Sequence, residues 1–269
     1  MLIAAALLYA PSAHAQPAIP HGPALPGPPP DPGTTLPVPV AAPDPPTAPA
    51  PLSVGAPVET PVPPGCPDVQ VVFARGTTEA PGLGAMGQAF VDDLQTKVGN
   101  KSVGVYPVDY PASPDFPTAV KGITDASTHV QQIATTCPAT KIVLGGYSQG
   151  AAVMGFVTTE LIPDGVSVSE VPQPMTPEIA DHVAAIALLG TPSERFMNVI
   201  KQPPVKIGSL YQAKTIELCV PNDFVCSAGN DIGAHARYIS DGLVVQAADF
   251  AANKIAESPA PPVQPAAGG

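Results

Sequence analysis

The placement of proline limits what this chain can fold into more than any other feature. Its prolines crowd into the first quarter of the 269 residues and into the last dozen. From Gln16 to Pro64 it reads "QPAIPHGPALPGPPPDPGTTLPVPVAAPDPPTAPAPLSVGAPVETPVPP". Proline fixes φ and lacks a backbone donor, so residues 16–64 are expected to be an extended polyproline or disordered linker, outside any helix or sheet. "SPAPPVQPAAGG" repeats that composition, and residues 258–269 are read as a second disordered tail. What remains, residues 65–257, is long enough for one domain with one sizeable core.

Ahead of the linker, "MLIAAALLYAPSAHA" carries a short apolar run ending in Ala13-His14-Ala15, the small-x-small pattern of a signal-peptidase site. Residues 1–15 are therefore read as a signal peptide, although no Lys or Arg precedes the run. A bilayer span takes about 20 apolar residues, more than this run supplies. The expected destination is outside the cell, with association to a cell wall through the Pro-rich arm as one role for that arm. The net charge is −11 and no basic cluster occurs. Nucleic acid is excluded as a partner on that ground, and attraction to anionic headgroups is disfavoured. A monomer is expected.

Four cysteines, Cys66, Cys137, Cys219 and Cys226, all fall within the foldable part. An even count behind an export signal argues for two disulfides. Four cysteines allow three pairings, and spacing alone does not choose among them. Cys219–Cys226 is favoured because it closes a short loop, leaving Cys66–Cys137 to tie the start of the domain to its middle. In the chain-entropy picture the longer closure contributes about 4 kcal/mol and the shorter about 2.5 kcal/mol. A zinc site is not supported, since close Cys/His spacing and HExxH are both missing.

Apolar runs alternate with helical periodicity along residues 65–257. The expected strands are Val69 to Ala74, Ser102 to Val108, "KIVLGG" from Lys141, His182 to Gly190, and Lys214 to Val220. Between them, Met86, Phe90, Val91, Leu94 and Val98 recur at helical spacing. Further helices are expected over Phe116 to Thr136, Gln149 to Leu161 and Ala236 to Ile255. Strands apolar throughout, alternating with helices, imply a parallel sheet covered on both faces: a three-layer α/β domain.

In such sheets chemistry gathers at the carboxyl ends of the strands. "GYSQG" follows the strand "KIVLG" and precedes a helix, the setting of the G-x-S-x-G nucleophile elbow, with Ser148 at its apex. A serine needs a base and an acid to become nucleophilic. Two histidines lie downstream. His182 opens a strand at the wrong end of the sheet and is read as a surface or strand-end residue, whereas His235, in "DIGAHARY", can reach the carboxyl edge. Asp223, in "CVPNDFVC", is the expected acid, with Asp231 and Asp109 as competitors. For the oxyanion, donors are expected from the N–H of Gln149 and from Thr77 in "ARGTTEAPG". Phe224, Val225 and Ile232 are candidates either for acyl-chain contact or for plain core packing.

Together "FARGTTE", "YPVDYPAS", "GGYSQGA", the C-x6-C around "NDFVC", and "GAHARY" resemble the cutinase family, in its secreted bacterial branch, from Cys66 to about Ile255. The resemblance implies an α/β-hydrolase with a five-stranded parallel sheet, hydrolysis of carboxylic esters or lipids without cofactor or metal, and the two disulfides favoured above. It implies Ser148 as nucleophile, Asp223 as acid, His235 as base, and Thr77 with Gln149 as oxyanion hole. Fungal members have serine where Thr77 stands, a change that keeps the hydroxyl. The Pro-rich arm and the excursion from Val166 to His182 depart from the compact fungal pattern. Acyl transfer, thioester cleavage or phospholipid cleavage by the same triad is the alternative chemistry, and a wall-binding module with an inert site is the non-enzymatic one.

Overall fold

The computed structural model describes residues 65–162 and 171–258. The expected signal peptide, the Pro-rich linker, and all of the tail but Ser258 lie outside those residues, as does the first part of the Val166 to His182 excursion. Five strands form one sheet: β1 (Val69–Ala74), β2 (Val103–Pro107), β3 (Lys141–Tyr147), β4 (Val183–Leu189) and β5 (Thr215–Leu218). Their order is β2-β1-β3-β4-β5, and every pairing is parallel. The helices are α1 (Gly84–Lys97), α2 (Val120–Thr136), α3 (Gln149–Val157), α4 (Pro177–His182), α5 (Glu194–Val199), α6 (Ser209–Gln212) and α7 (Leu243–Glu257). No helix among the described residues is long and apolar enough to cross a membrane.

Side chains alternate across a strand, and β1 shows what this does to the core. Val69, Val71 and Phe73 pack with α1 and α7 on one face, while Val72 and Ala74 pack with α2 and α3 on the other. The same split divides β4, with Ala185, Ala187 and Leu189 on the first face and Ile186 and Leu188 on the second. A strand covered on both sides has no polar face, which is why these runs read as uninterrupted apolar sequence. Each fully buried Val, Leu, Ile or Phe contributes about 1.5–3 kcal/mol.

The outer strands differ from that expectation. β2 and β5 are largely half-buried rather than covered throughout, because an edge strand has a neighbour on one side only. Three helix boundaries also differ. Phe116–Ala119 is a 3-10 turn preceding α2, set off by Pro117 in its first turn. α3 stops at Val157, where the Thr158 hydroxyl bonds back to the Gly155 carbonyl at 2.7 Å. The last helix begins at Leu243 rather than Ala236: a 3-10 turn spans Gly233–Ala236, and Gly242 enters α7 with φ of 76°. Ile239, inside the expected helix, instead precedes it and is exposed.

Both favoured disulfides are present. Cys66–Cys137 joins the start of the domain to the end of α2 with Cα atoms 5.6 Å apart, and Cys219–Cys226 closes the loop after β5 at 5.9 Å.

Candidate active site

Ser148 sits at the turn between β3 and α3 with φ 57° and ψ −119°, a conformation unfavourable for a residue with a Cβ. Neighbours hold it there: its N–H donates to the Leu189 carbonyl at 2.8 Å, and its carbonyl accepts from the Ala152 N–H at 3.2 Å. The turn also needs α3 to start hard against β1, since a Cβ on Gly150 would fall on the Ala74 carbonyl. Gly150→Ala is therefore expected to lower the melting temperature by at least several degrees, read by thermal unfolding, with activity lost in parallel.

Asp223 follows β5 and is completely buried. Its Oδ1 accepts from the Val225 N–H at 2.8 Å. Its Oδ2 accepts from His235 Nδ1 and from the Tyr238 hydroxyl, both at 2.7 Å. Since a carboxylate only accepts, Nδ1 carries the imidazole proton and Nε2 is left as an acceptor. Nε2 lies 2.8 Å from Ser148 Oγ. The ring is stacked at 5.1 Å on Tyr147, whose hydroxyl donates to the His235 carbonyl at 2.6 Å. Burial, with the charges of Glu79 and Asp223 adding to it, pushes the Tyr147 phenol up to about 12, so it stays a donor.

Gln149 opens α3, so its N–H has no carbonyl to bond within the helix. It borders one cavity with Thr77 and Ser148. The loop carrying Thr77 is braced by its own ionic side chains. Glu79 Oε2 accepts from the Gly76 N–H at 2.6 Å and Oε1 from the Ala85 N–H at 2.9 Å. Arg75, almost wholly buried, donates to the Glu79 carbonyl at 2.9 Å and to the Tyr110 carbonyl at 2.7 Å.

The cavity encloses about 590 Å³. Its walls are the Phe116–Ala119 turn with Val120 and Ile123 of α2, Ala152 and Phe156 of α3, and Phe196 and Ile200 at α5. Among the described residues, none that lines it is charged. Phe224, Val225 and Ile232, the apolar candidates read from sequence, do not line it. Phe224 instead packs edge-on against Phe196 at 5.8 Å, and Ile232 is 75% exposed.

The competing residues are elsewhere. Asp231 Oδ1 accepts from the Ala234 N–H at 3.1 Å, capping the 3-10 turn, and its Oδ2 pairs with Arg237 at 3.3 Å. The Asp109 N–H donates to Asp125 at 2.9 Å, and the carboxylate bonded to His235 Nδ1 is that of Asp223. His182 ends α4 at the amino end of β4, and it is buried rather than surface-exposed. Desolvation there lowers its pKa.

Residues 65–255 match the cutinase family. The chain belongs to that family. Among relatives, it is 58% identical over 172 residues to "Probable carboxylesterase Culp5" of Mycobacterium tuberculosis, covering 64% of this chain and 98% of that one. It is 48% identical to "Carboxylesterase Culp1" of Mycobacterium bovis, over 71% of this chain and 82% of that one. "Phospholipase Culp4" of Mycobacterium tuberculosis is 50% identical, over 72% and 82% respectively. Among solved structures, a Trichoderma reesei cutinase in complex with a phosphonate inhibitor superposes with a TM-score of 0.54 at 30% identity, covering 71% of this chain and 77% of that one. An acetylxylan esterase at 24% identity shares the fold with a TM-score of 0.58, over 71% and 99%.

Sequence reasoning missed four residues around this cutinase-family site: Arg75, Glu79, Tyr147 and Tyr238. Charged Arg75 and Glu79 beside an apolar strand offered a signal, because charge so placed is buried only when it is fully bonded.

Proposed function

We propose that this cutinase-family protein is a secreted serine carboxylesterase acting on esters of apolar acyl groups, with Ser148, His235 and Asp223 as its triad. One observation carries the reading: an Asp-His-Ser chain with links of 2.7 and 2.8 Å opens onto a cavity of about 590 Å³ whose described lining residues are all uncharged. Residues 65–257 would be the catalytic domain, 1–15 the export signal, 16–64 a linker reaching a cell wall, and 258–269 a tail. The two disulfides suit an oxidising compartment.

In this mechanism Ser148 Oγ attacks the ester carbonyl while Nε2 of His235 takes its proton. The Gln149 N–H and Thr77 donors receive the negative charge on the carbonyl oxygen. The C–O bond to the alcohol breaks and the alcohol leaves with the proton from His235. Water then attacks the acyl-enzyme by the same route, releasing the acid and restoring Ser148. Because Nε2 must be unprotonated to begin, activity is expected to fall on acidification, read as kcat/KM against pH.

Phospholipid cleavage is the second reading, since a relative at 50% identity is named a phospholipase. A chain-length series of p-nitrophenyl esters, run beside a phospholipid and a polyester film, tests both. Preference for simple esters supports the first, and preference for phospholipid the second. Alcohol acceptors in the same assay separate acyl transfer from hydrolysis. Ala152, one helical turn beyond Ser148, borders the cavity. Ala152→Phe is expected to cut kcat/KM for long acyl chains about tenfold more than for acetate or butyrate esters.

A further inference from the structure

Tyr238 is fully buried although it sits in an irregular stretch between the His235 turn and α7. Its hydroxyl reaches Asp223 Oδ2 at 2.7 Å, the oxygen that also binds His235 Nδ1. A phenol has one proton to donate. The other groups near the oxygen are the Val220 N–H at 3.4 Å, which points toward it, and Cys226 Sγ at 3.1 Å. A disulfide sulfur has no proton to give and is a weak acceptor beside a carboxylate, so the phenol proton goes to Asp223. The ring lies 5.7 Å from Tyr147 and 6.0 Å from His235, both edge-on. Behind it, the close approach of Gly190 leaves no room for a Cβ, which would stand 2.8 Å from the hydroxyl. The loop after β5, through Val220, Asp223 and Cys226, and the end of β4, at Gly190, therefore meet at this one oxygen.

The geometry points to Tyr238 as a positioning residue for the triad: its hydroxyl holds Asp223 in register with the imidazole and, by sharing Oδ2, limits how strongly the carboxylate stabilises the protonated form of His235. This inference rests on the triad reading above. A donor on the shared oxygen draws off part of the negative charge facing Nδ1. Removing that donor leaves more charge for the imidazolium, so His235 becomes a stronger base and stays protonated to higher pH. Burial, together with the bond to Asp223, pushes the Tyr238 phenol well above its ordinary range, so it remains protonated throughout. The other titratable or charged groups on this side are Tyr147 at the end of β3, Glu79 on the loop after β1, and the exposed Asp231–Arg237 pair.

Tyr238→Phe keeps the ring and removes only the donor. The expected result is an acid limb of kcat/KM moved up by about 0.5–1 pH unit, with plateau kcat lowered about threefold to tenfold and KM unchanged. The low-field NMR signal of the Nδ1 proton should move with it. Tyr238→fluorotyrosine, a stronger donor of nearly the same shape, should shift the limb the other way and serves if the Phe variant does not fold. A lower melting temperature with an unmoved limb and proton signal would reduce Tyr238 to ordinary packing and overturn the inference. Ser148→Ala, run alongside, separates the two levels: inactivity there with an unmoved limb in the Tyr238 variants sinks this inference alone, whereas retained activity sinks the triad with it.

Discussion

Ser148→Ala is expected to lower kcat for p-nitrophenyl esters by about a millionfold, the scale on which losing the nucleophile acts in serine hydrolases. The reason lies in the short chain at the elbow. With Oγ gone, His235 Nε2 has no alcohol to activate 2.8 Å away, and no acyl-enzyme can form. The proposed Gln149 and Thr77 donors would remain, so a small residual rate above that of water is compatible with the proposed mechanism. Folding should be spared, because alanine can still occupy the turn through the backbone bonds to Leu189 and Ala152. A fluorophosphonate probe gives an independent readout: the native protein should be labelled stoichiometrically and the variant not at all. Substantial turnover by a folded variant would remove Ser148 from its role.

Asp223→Asn carries the second-largest expected loss, about ten-thousandfold in kcat. Both carboxylate oxygens accept hydrogen bonds, Oδ1 from Val225 and Oδ2 from His235 and Tyr238. An amide has one oxygen to offer, so its NH₂ must face donors on one side or the other. If it faces the imidazole, the ring is driven into the tautomer with its proton on Nε2, and Ser148 then meets a donor instead of a base. If it faces Val225, a partly buried N–H loses its acceptor and meets a donor instead. Since Asp223 is wholly buried, water cannot relieve either arrangement. The readout is kcat with KM and probe labelling measured alongside, and near-native kcat would shift the acid role to another group.

Much of this architecture was legible because it is written locally. β1, β3 and β4 are buried on both faces, which forces continuous apolar runs, and the elbow packs its glycines and serine into five consecutive residues. The order of Ser148, Asp223 and His235 along the chain could be read once strand ends were placed. The cavity could not, because its walls come from the Phe116 turn, α2, α3 and α5, and no sequence period links them. Phe224 and Val225 stand beside Asp223 in the sequence, yet neither lines the cavity. Apolar spacing carries the expected last helix, Ala236 to Ile255, through "YISDGL", although Asp-Gly is a breaker and Gly242 takes a left-handed conformation there. Reading that stretch as helix also hid Tyr238, whose burial depends on the helix not having started.

The staple between Cys66 and Cys137 determines how the domain would answer mechanical load. Any pull arriving from the residues ahead of Cys66 meets a covalent link to the end of α2 before it can reach β1. β1 is an interior strand, bonded to β2 on one side and β3 on the other, and it delivers the loop bearing Thr77. Tension is thus divided between two elements at the rim opposite Ser148 instead of peeling β1 from its end. A load applied ahead of Cys66 would therefore leave the Asp223–His235–Ser148 chain in alignment.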